Sequence, residues 1–298
     1  MAPDARRCQV AGMEPTAGPA PTLVRWLAAA LTSSRVWQTN AWVPGRVIGG
    51  TAMLLGAIMW LAAMVVRHLG YRLGTFTAEQ SAWFAQQPFA APAQLAAYAQ
   101  HPRLVTAGYA IFAGSCIVLA FGVLTLARIV AAASPMLAHL AATCVVASLF
   151  GRLYFSGVDL TAFRLVDAQR LQPATDFVLA AYVDLSYGLW FIPVTASAGA
   201  LVGGVLLSLG AFRAGVLGVV RCLLLLAWAW TFLGVLKEAD VGSVTGAIGL
   251  CVVFVPIGVQ VLRDRVSALR TITVPTRRER RGPTGFGSAA FIAARLAA

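Results

Sequence analysis

Acidic and basic side chains alternate along one stretch of an otherwise apolar chain, and they are the residues best placed to do chemistry. Arg152 is followed by Asp159, Arg164 and Asp167, and the series continues as far as Asp184. A charge in or beside hydrocarbon is expensive, so membrane proteins seldom keep one without a role. We therefore take this stretch as the candidate site.

Two interpretations of this stretch stay open. In the functional one, Arg152 anchors an anion or a lipid head group at the floor of an outward-facing pocket, and Asp159 or Asp184 carries a proton. In the structural one, Arg152 extends to the membrane edge and pairs with Asp159 or Asp184, which holds two helix ends together. Pairing is how charges at a membrane edge are usually satisfied, so the sequence favours the structural interpretation.

Aromatic residues at the same level are candidate ligand contacts: Tyr154, Tyr182 and Trp190. Tyrosine and tryptophan also gather at membrane interfaces for purely structural reasons, and an interfacial belt is the simpler explanation. Aromatic faces stabilise cations as well. A proton-initiated cyclase acting on a lipid or isoprenoid would thus use Asp159 or Asp184 as its acid beside these rings. The two acids are the catalytic candidates, and the arginine and the aromatic residues are the binding candidates.

Other chemistries have no motif in the sequence. It contains no Walker lysine loop, no HExxH, no GxSxG and no DxxxD pair of the kind that binds magnesium diphosphate. The five cysteines and three histidines are dispersed without the spacing of metal ligands. We therefore expect no metal and no cofactor, and we do not expect ATP-driven or metal-hydrolase activity.

The elements that position these residues are predicted to be membrane spans. The chain is 59% hydrophobic and 11% charged, with a mean hydropathy of +0.78, whereas soluble domains carry about 25% charged residues. A helix needs roughly 20 apolar residues to cross a bilayer. Six segments meet this demand: 47–66, 104–127, 135–158, 185–212, 214–236 and 241–262. The sequence predicts an all-α bundle of six transmembrane helices, which forms the domain 47–262.

The remaining segments flank or connect these spans. Within the N-terminal segment 1–46, apolar residues recur at helical spacing over 22–37, which predicts an amphipathic helix on the membrane surface. Two outer loops are expected at 67–103 and 159–184. The basic tail 263–298 lacks apolar periodicity, so we expect it to be disordered and to contact anionic lipid rather than nucleic acid.

The loop 159–184 has an amphipathic pattern of its own. If it is helical, Arg164 and Asp167 share one face and Leu160, Phe163 and Val166 another. Small residues repeat at a spacing of four in two predicted spans, which predicts close helix packing there. These are Ala196, Ala200 and Gly204, Gly199 and Gly203, and Gly242 and Gly246.

Charge predicts the orientation of the chain. Sixteen basic residues face four acidic ones on the side that holds both ends, whereas seven face seven on the other side. Positive charge collects on the cytoplasmic side, so both termini are expected in the cytoplasm. Lys237 is the only lysine among 23 basic residues, a bias typical of GC-rich bacteria. The predicted location is the cytoplasmic membrane of a bacterium.

The sequence favours a non-enzymatic membrane protein, because catalytic motifs are missing. An accessory or regulatory subunit or a small permease-like or immunity-type protein fits, with lipid and a further membrane protein as partners. The alternatives are the intramembrane enzyme described above and a proton-coupled secondary transporter. An enzyme or transporter should enclose a polar cavity that reaches Arg152 and Asp184, whereas a subunit should be a tightly packed bundle.

Overall fold

A computed structural model describes residues 44–87, 90–183, 192–231 and 240–266. Within these ranges the secondary structure is helical, which confirms the all-α prediction. The nine described helices are α1 (Arg46–Arg72), α2 (Ala78–Gln86), α3 (Ala91–Gln100), α4 (Pro102–Ala131), α5 (Pro135–Gln169), α6 (Leu171–Val183), α7 (Ile192–Arg213), α8 (Val219–Trp230) and α9 (Val241–Leu262). The predicted surface helix 22–37 and nearly all of the basic tail lie outside the described residues.

Five of these helices are long and apolar enough to cross a membrane: α1, α4, α5, α7 from Thr195 onward, and α9. The chain therefore has the architecture of a multi-pass membrane protein. In α4, the uncharged residues 104–127 extend about 36 Å at 1.5 Å per residue. The hydrocarbon core is about 30 Å thick, so Arg103 and Arg128 at the two ends of this segment lie at head-group depth.

The helix of the third predicted span is longer than the span itself. It continues past residue 158 without a break, and α5 has 35 residues and ends at Gln169. A helix of this length extends about 52 Å, and its last turns project beyond the hydrocarbon. The helix ends where Arg170 adopts a left-handed φ of 75°. Both predicted outer loops are thus largely helical, and we call α2, α3, α6 and residues 159–169 the cap.

The fifth predicted span also begins later than expected. Residues 214–218 form a turn rather than helix, since Gly215 has a φ of 65° that favours glycine. Helix α8 starts only at Val219 and has 12 residues, about 18 Å of helix. That is shorter than the hydrocarbon core. The last part of the predicted span, 232–236, lies outside the described residues.

The bundle (α1, α4, residues 135–158 of α5, α7, α8 and α9) is packed through small residues. A Cβ atom at Gly203 of α7 would lie 2.9 Å from the Ala141 carbonyl oxygen of α5. A Cβ at Gly246 of α9 would lie 2.7 Å from the Thr231 side chain, whereas one at Gly242 would contact only Asp240. The predicted small-residue contacts are therefore confirmed for α7 and for Gly246 of α9.

The cap has its own apolar core, separate from that of the bundle. It brings together residues of α3, α4, α5 and α6: Leu95, Tyr98, Val105, Tyr109, Phe155, Phe163 and Val178 among others. Arg164 and Asp167 are exposed while Phe163 is buried, as the spacing in this segment predicts. The cap core lies directly over one end of the bundle, and Arg152 and Asp159 of the candidate site lie near this junction.

Candidate functional site

Arg67 is the charged side chain at the centre of the junction. It lies five residues before the end of α1 and is only 7% exposed. Its Nη2 atom donates hydrogen bonds to Gln94 Oε1 of α3 at 3.3 Å and to the Tyr109 hydroxyl of α4 at 3.1 Å. The guanidinium carbon also lies 4.3 Å from the centre of the Tyr109 ring, a cation–π contact. Gly108 leaves room for the arginine stem, because a Cβ there would be 3.0 Å from Arg67 Cγ.

Tyr109 links this arginine to Asp159. Its hydroxyl is hydrogen bonded to the Asp159 side chain as well as to Arg67. A phenol has one proton to donate, so Tyr109 accepts from Arg67 and donates to the carboxylate. Tyr109 is 2% exposed, and Asp159 is partly buried. A continuous series of hydrogen bonds thus joins α3, α1, α4 and α5.

Arg152 lies seven residues before Asp159 on α5. Its side chain is buried among protein atoms at 2% exposure. That it lies at the membrane edge and pairs with Asp159 or Asp184 stays a prediction. Arg152 and Arg67 both lie close enough to Cys116 of α4 to act on its sulfur electrostatically. Two guanidinium groups are therefore enclosed in this part of the bundle, which is an expensive arrangement in hydrocarbon.

Tyr98 forms a separate hydrogen bond nearer the surface of the cap. Its hydroxyl donates to Asp167 Oδ2 at 2.8 Å. Its ring stacks on Phe163 with 4.5 Å between centroids, and Phe163 meets the edge of Tyr109 at 4.9 Å. Burial raises the pKa of the Tyr98 hydroxyl, and the hydrogen bond to Asp167 raises it further. The hydroxyl therefore stays neutral and remains a donor over the physiological range.

A cavity of about 480 Å³ opens beside this network, between α1, α2, α3 and the start of α9. Its lining includes His68, Arg72, Phe84 and Asp240, and it reaches Gln94. The hydrogen-bond partner of Arg67 thus also faces a space large enough for a small molecule.

The structure brings together only part of the predicted site. Asp159 joins the network and Arg152 lies beneath it. Tyr154 is 43% exposed and lies on another face of α5, because residues two positions apart on a helix point about 200° apart. It does not line a common site with Arg152. Asp184 and Trp190 lie outside the described residues, as does the side chain of Tyr182.

Sequence reasoning missed Arg67 and Tyr109 as site residues. In the sequence, Arg67 marks the end of a predicted span. Tyr109 is one of several aromatic residues in an apolar segment, and nothing local distinguishes it from the others. One signal could have identified the arginine, since Trp60, Ala63 and Met64 precede it by seven, four and three residues. These positions share a helix face, and all three are buried, so Arg67 had to point into the bundle.

Among the described residues, no three His, Cys, Asp or Glu side chains are grouped so that they could hold a metal ion. The four cysteines in this part of the chain are free thiols. The groups available for chemistry at the junction are therefore two guanidinium groups, two phenols and two carboxylates. Comparison with protein-family models, curated proteins and solved structures found no match to this chain.

Proposed function

We propose that the chain is a non-enzymatic membrane protein of the accessory or regulatory type, whose buried charges hold the cap in a fixed position for a partner. Small permease-like and immunity-type proteins belong to the same class. The observation that carries the proposal is the closed series Gln94, Arg67, Tyr109 and Asp159. It joins four helices, and protein atoms fill the space around Arg67 and Tyr109. A catalytic site has to leave such groups accessible to substrate.

The same series argues against proton-coupled transport. A proton that entered at Asp159 would pass to Tyr109 and then meet Arg67. A guanidinium does not lose its proton in a protein, so it cannot relay one. A positive charge fixed in the interior also repels an approaching proton. The network is thus suited to hold helices together and poorly suited to carry protons between the two sides.

An enzyme acting on a lipid or isoprenoid is the second candidate. Against it, the Tyr109 hydroxyl donates to Asp159, whereas the acid of a proton-initiated cyclase has to donate a proton to its substrate. One observation favours it, namely that the cavity of about 480 Å³ reaches Gln94. A substrate there would lie one hydrogen bond away from Arg67.

Lipid extracts separate the two candidates. In the native host, we would compare a deletion strain with strains that carry the wild-type chain, Ala85→Trp or Ala82→Trp. Ala85 lines the cavity, whereas Ala82 is an exposed residue of the same helix outside its lining. An accessory protein should leave the lipid and isoprenoid profile unchanged in all strains. When extracted with its native lipids, an accessory protein should also co-elute with a second membrane protein at a fixed stoichiometry in size-exclusion chromatography.

The proposal would be overturned by one pattern in these extracts. A lipid or isoprenoid species would accumulate in the deletion strain, disappear with the wild type and with Ala82→Trp, and persist with Ala85→Trp. That pattern would establish the cavity as an active site.

We further propose six crossings with both termini in the cytoplasm of a bacterium. The positions of α7 and α9 support a crossing between them. The end of α7 lies beside the turn between α4 and α5, since a Cβ at Gly210 would be 2.7 Å from the Val130 side chain. The start of α9 lies at the cap end, since Asp240 lines the same cavity as His68 of α1. The end of α7 and the start of α9 therefore lie at opposite ends of the bundle, and α8 comes between them in the chain.

Fusions to alkaline phosphatase, which is active only outside the cytoplasm, test this topology. Fusions after Gln87 and Gln172 should be active, and fusions after Ser134 and Arg281 should be inactive. An active fusion after Arg281 would contradict an even number of crossings, while the proposal about the cap would be unaffected.

A further inference from the structure

A second groove, of about 620 Å³, lies on the outside of the molecule between the first turns of α4 and the last turns of α5. Helix α4 contributes Arg103, Ala107 and Ala110, and α5 contributes Leu160 and Arg164. Its walls are thus apolar or small, and a guanidinium group stands on each of the two helices. Tyr98 and Phe163 of the cap also line the groove. The groove is separate from the cavity beside α2, and the series Gln94, Arg67, Tyr109 and Asp159 does not line it.

The depth of the groove is set by α4. Arg103 directly precedes the uncharged segment 104–127, whose helical length of about 36 Å places this arginine at head-group level. Ala107 and Ala110 follow at i+4 and i+7, on the same helix face and nearer the hydrocarbon. Arg103 and both alanines are exposed. Positive charge therefore lies at the head groups, with an open apolar surface directly below it.

Among the described residues, neither Arg103 nor Arg164 forms a salt bridge. The ion pair in this part of the chain joins Arg46 and Asp264. Asp167 is the first acidic residue after Arg164, and its carboxylate accepts a hydrogen bond from the Tyr98 hydroxyl. The charge of the two guanidinium groups is thus available to a ligand. Guanidinium groups bind phosphate oxygens in a paired geometry that a single point charge does not provide.

A second and much smaller pocket, which we call the α4–α5 crevice, lies farther along the same two helices. It is lined by Ile117 and Ala120 of α4 and by Phe150 and Leu153 of α5. Ile117 follows Ala110 by seven residues and Leu153 precedes Leu160 by seven, so these residues extend the helix faces of the groove. These side chains are apolar, as the surface beneath a lipid head group has to be.

We propose that this groove binds one anionic phospholipid, with its phosphate between Arg103 and Arg164 and an acyl chain along Ala107, Ala110 and the α4–α5 crevice. The ligand class follows from the match of two cations at head-group depth with an apolar surface below them. The site does not depend on the function proposed above, because its proposed ligand contacts are not members of the series Gln94, Arg67, Tyr109 and Asp159 that carries that function.

Native mass spectrometry of the full-length protein tests the site. The protein would be titrated with phosphatidylglycerol and, separately, with phosphatidylcholine of the same chain length. The variants are Arg103→Gln with Arg164→Gln, and Ala107→Leu with Ala110→Leu. Matched controls are Arg170→Gln, an exposed arginine of the same end of the molecule, and Ala198→Leu, an exposed alanine of α7. Size-exclusion profiles establish that each variant is folded.

The wild type should bind one phosphatidylglycerol in preference to phosphatidylcholine. The double arginine variant should weaken this binding by about tenfold or more. The double leucine variant should weaken it as well although both charges remain, and the two controls should match the wild type. Equal binding by wild type and both double variants would overturn the proposal. So would displacement of the lipid by millimolar inorganic phosphate, because the site would then recognise free phosphate.

Discussion

The bundle and the cap are held together by different means. In the bundle, helices approach until their backbones nearly touch, as at Gly56, where a Cβ would lie 2.9 Å from Leu119 Cα. In the cap, helices meet through stacked rings and through hydrogen bonds to charged groups, as at Tyr98, Phe163 and Asp167. Lipid tails are as apolar as leucine, so helices in hydrocarbon gain little from burying apolar surface and depend on close contact. The cap projects beyond the hydrocarbon, where burial of large rings is itself favourable.

The two regions meet at Tyr109. Its helix, α4, crosses the bundle, while its ring belongs to the cap core and its hydroxyl to the buried network. A charge is enclosed at this boundary, where Arg67 has hydrogen-bond partners on two other helices, α3 and α4. Close packing sets how near the bundle helices lie, and in the function proposed above the buried charge sets how the cap sits on them.

The largest expected effect comes from removing the buried charge. Arg67→Met leaves Gln94 and Tyr109 without their donor and should lower the free energy of unfolding by about 3 kcal/mol. Chemical unfolding of the full-length protein in bicelles would measure it. Arg72→Met is the matched control, since this arginine of the same helix is exposed and its loss should cost less than about 0.5 kcal/mol.

An apolar replacement of the series tests whether the charge is needed for stability alone. Arg67→Met combined with Tyr109→Phe and Asp159→Leu should recover more than half of the loss, because a buried charge network can be exchanged for packing. If Arg67→Met is as mild as Arg72→Met, the network does not hold the cap.

The second prediction compares the effect of an added methyl group at a close helix contact of the bundle with its effect near the cap end of α5. Gly56→Ala puts a methyl group against the backbone of Leu119, so α1 and α4 have to move apart. We expect a loss of about 2 kcal/mol. Gly157→Ala is the matched change within α5, and nothing lies within 4 Å of the new Cβ. Alanine favours helix over glycine, so this variant should gain about 0.5–1 kcal/mol. Glycine to alanine should thus lower the free energy of unfolding at position 56 and raise it at position 157. Equal effects at the two positions would contradict the close contact between α1 and α4.

The apolar runs predicted the helices of the bundle well, because the length of a span is set by the thickness of the bilayer. The continuation of α5 beyond residue 158 was not predicted, for an equally physical reason. Charges after Gly151 indicate where hydrocarbon ends, and they do not end a helix, which α5 demonstrates by continuing to Gln169. Gly215 and its left-handed turn were missed because any glycine of a membrane helix is compatible with a span.

The sequence identified only those site residues that lie close together along the chain. Asp159 and Arg152 were selected because they lie in one charged stretch, and both lie at the junction. Arg67 was not, because its partners Gln94 and Tyr109 are 27 and 42 residues away. No periodicity within a helix identifies contacts between helices at that separation. The periodicity of α1 indicates that Arg67 is buried, and only the packing of α3 and α4 determines what it contacts.

The smallest expected effect concerns pH and the edge of the cap. Burial and Asp167 raise the pKa of Tyr98 above its ordinary value of 10.0. A group whose pKa is raised in the folded state contributes stability that is fully present below its unfolded pKa and is lost as pH rises through the folded value. The free energy of unfolding of the wild type should therefore fall more steeply above pH 10 than that of Tyr98→Phe. The other tyrosines are common to both proteins, so the difference between the two pH profiles isolates this hydroxyl.

At pH 7 the variant should be less stable by about 1 kcal/mol, the usual contribution of one hydrogen bond. Parallel profiles above pH 10 would mean that the Tyr98 hydroxyl is not held by Asp167 in the folded cap.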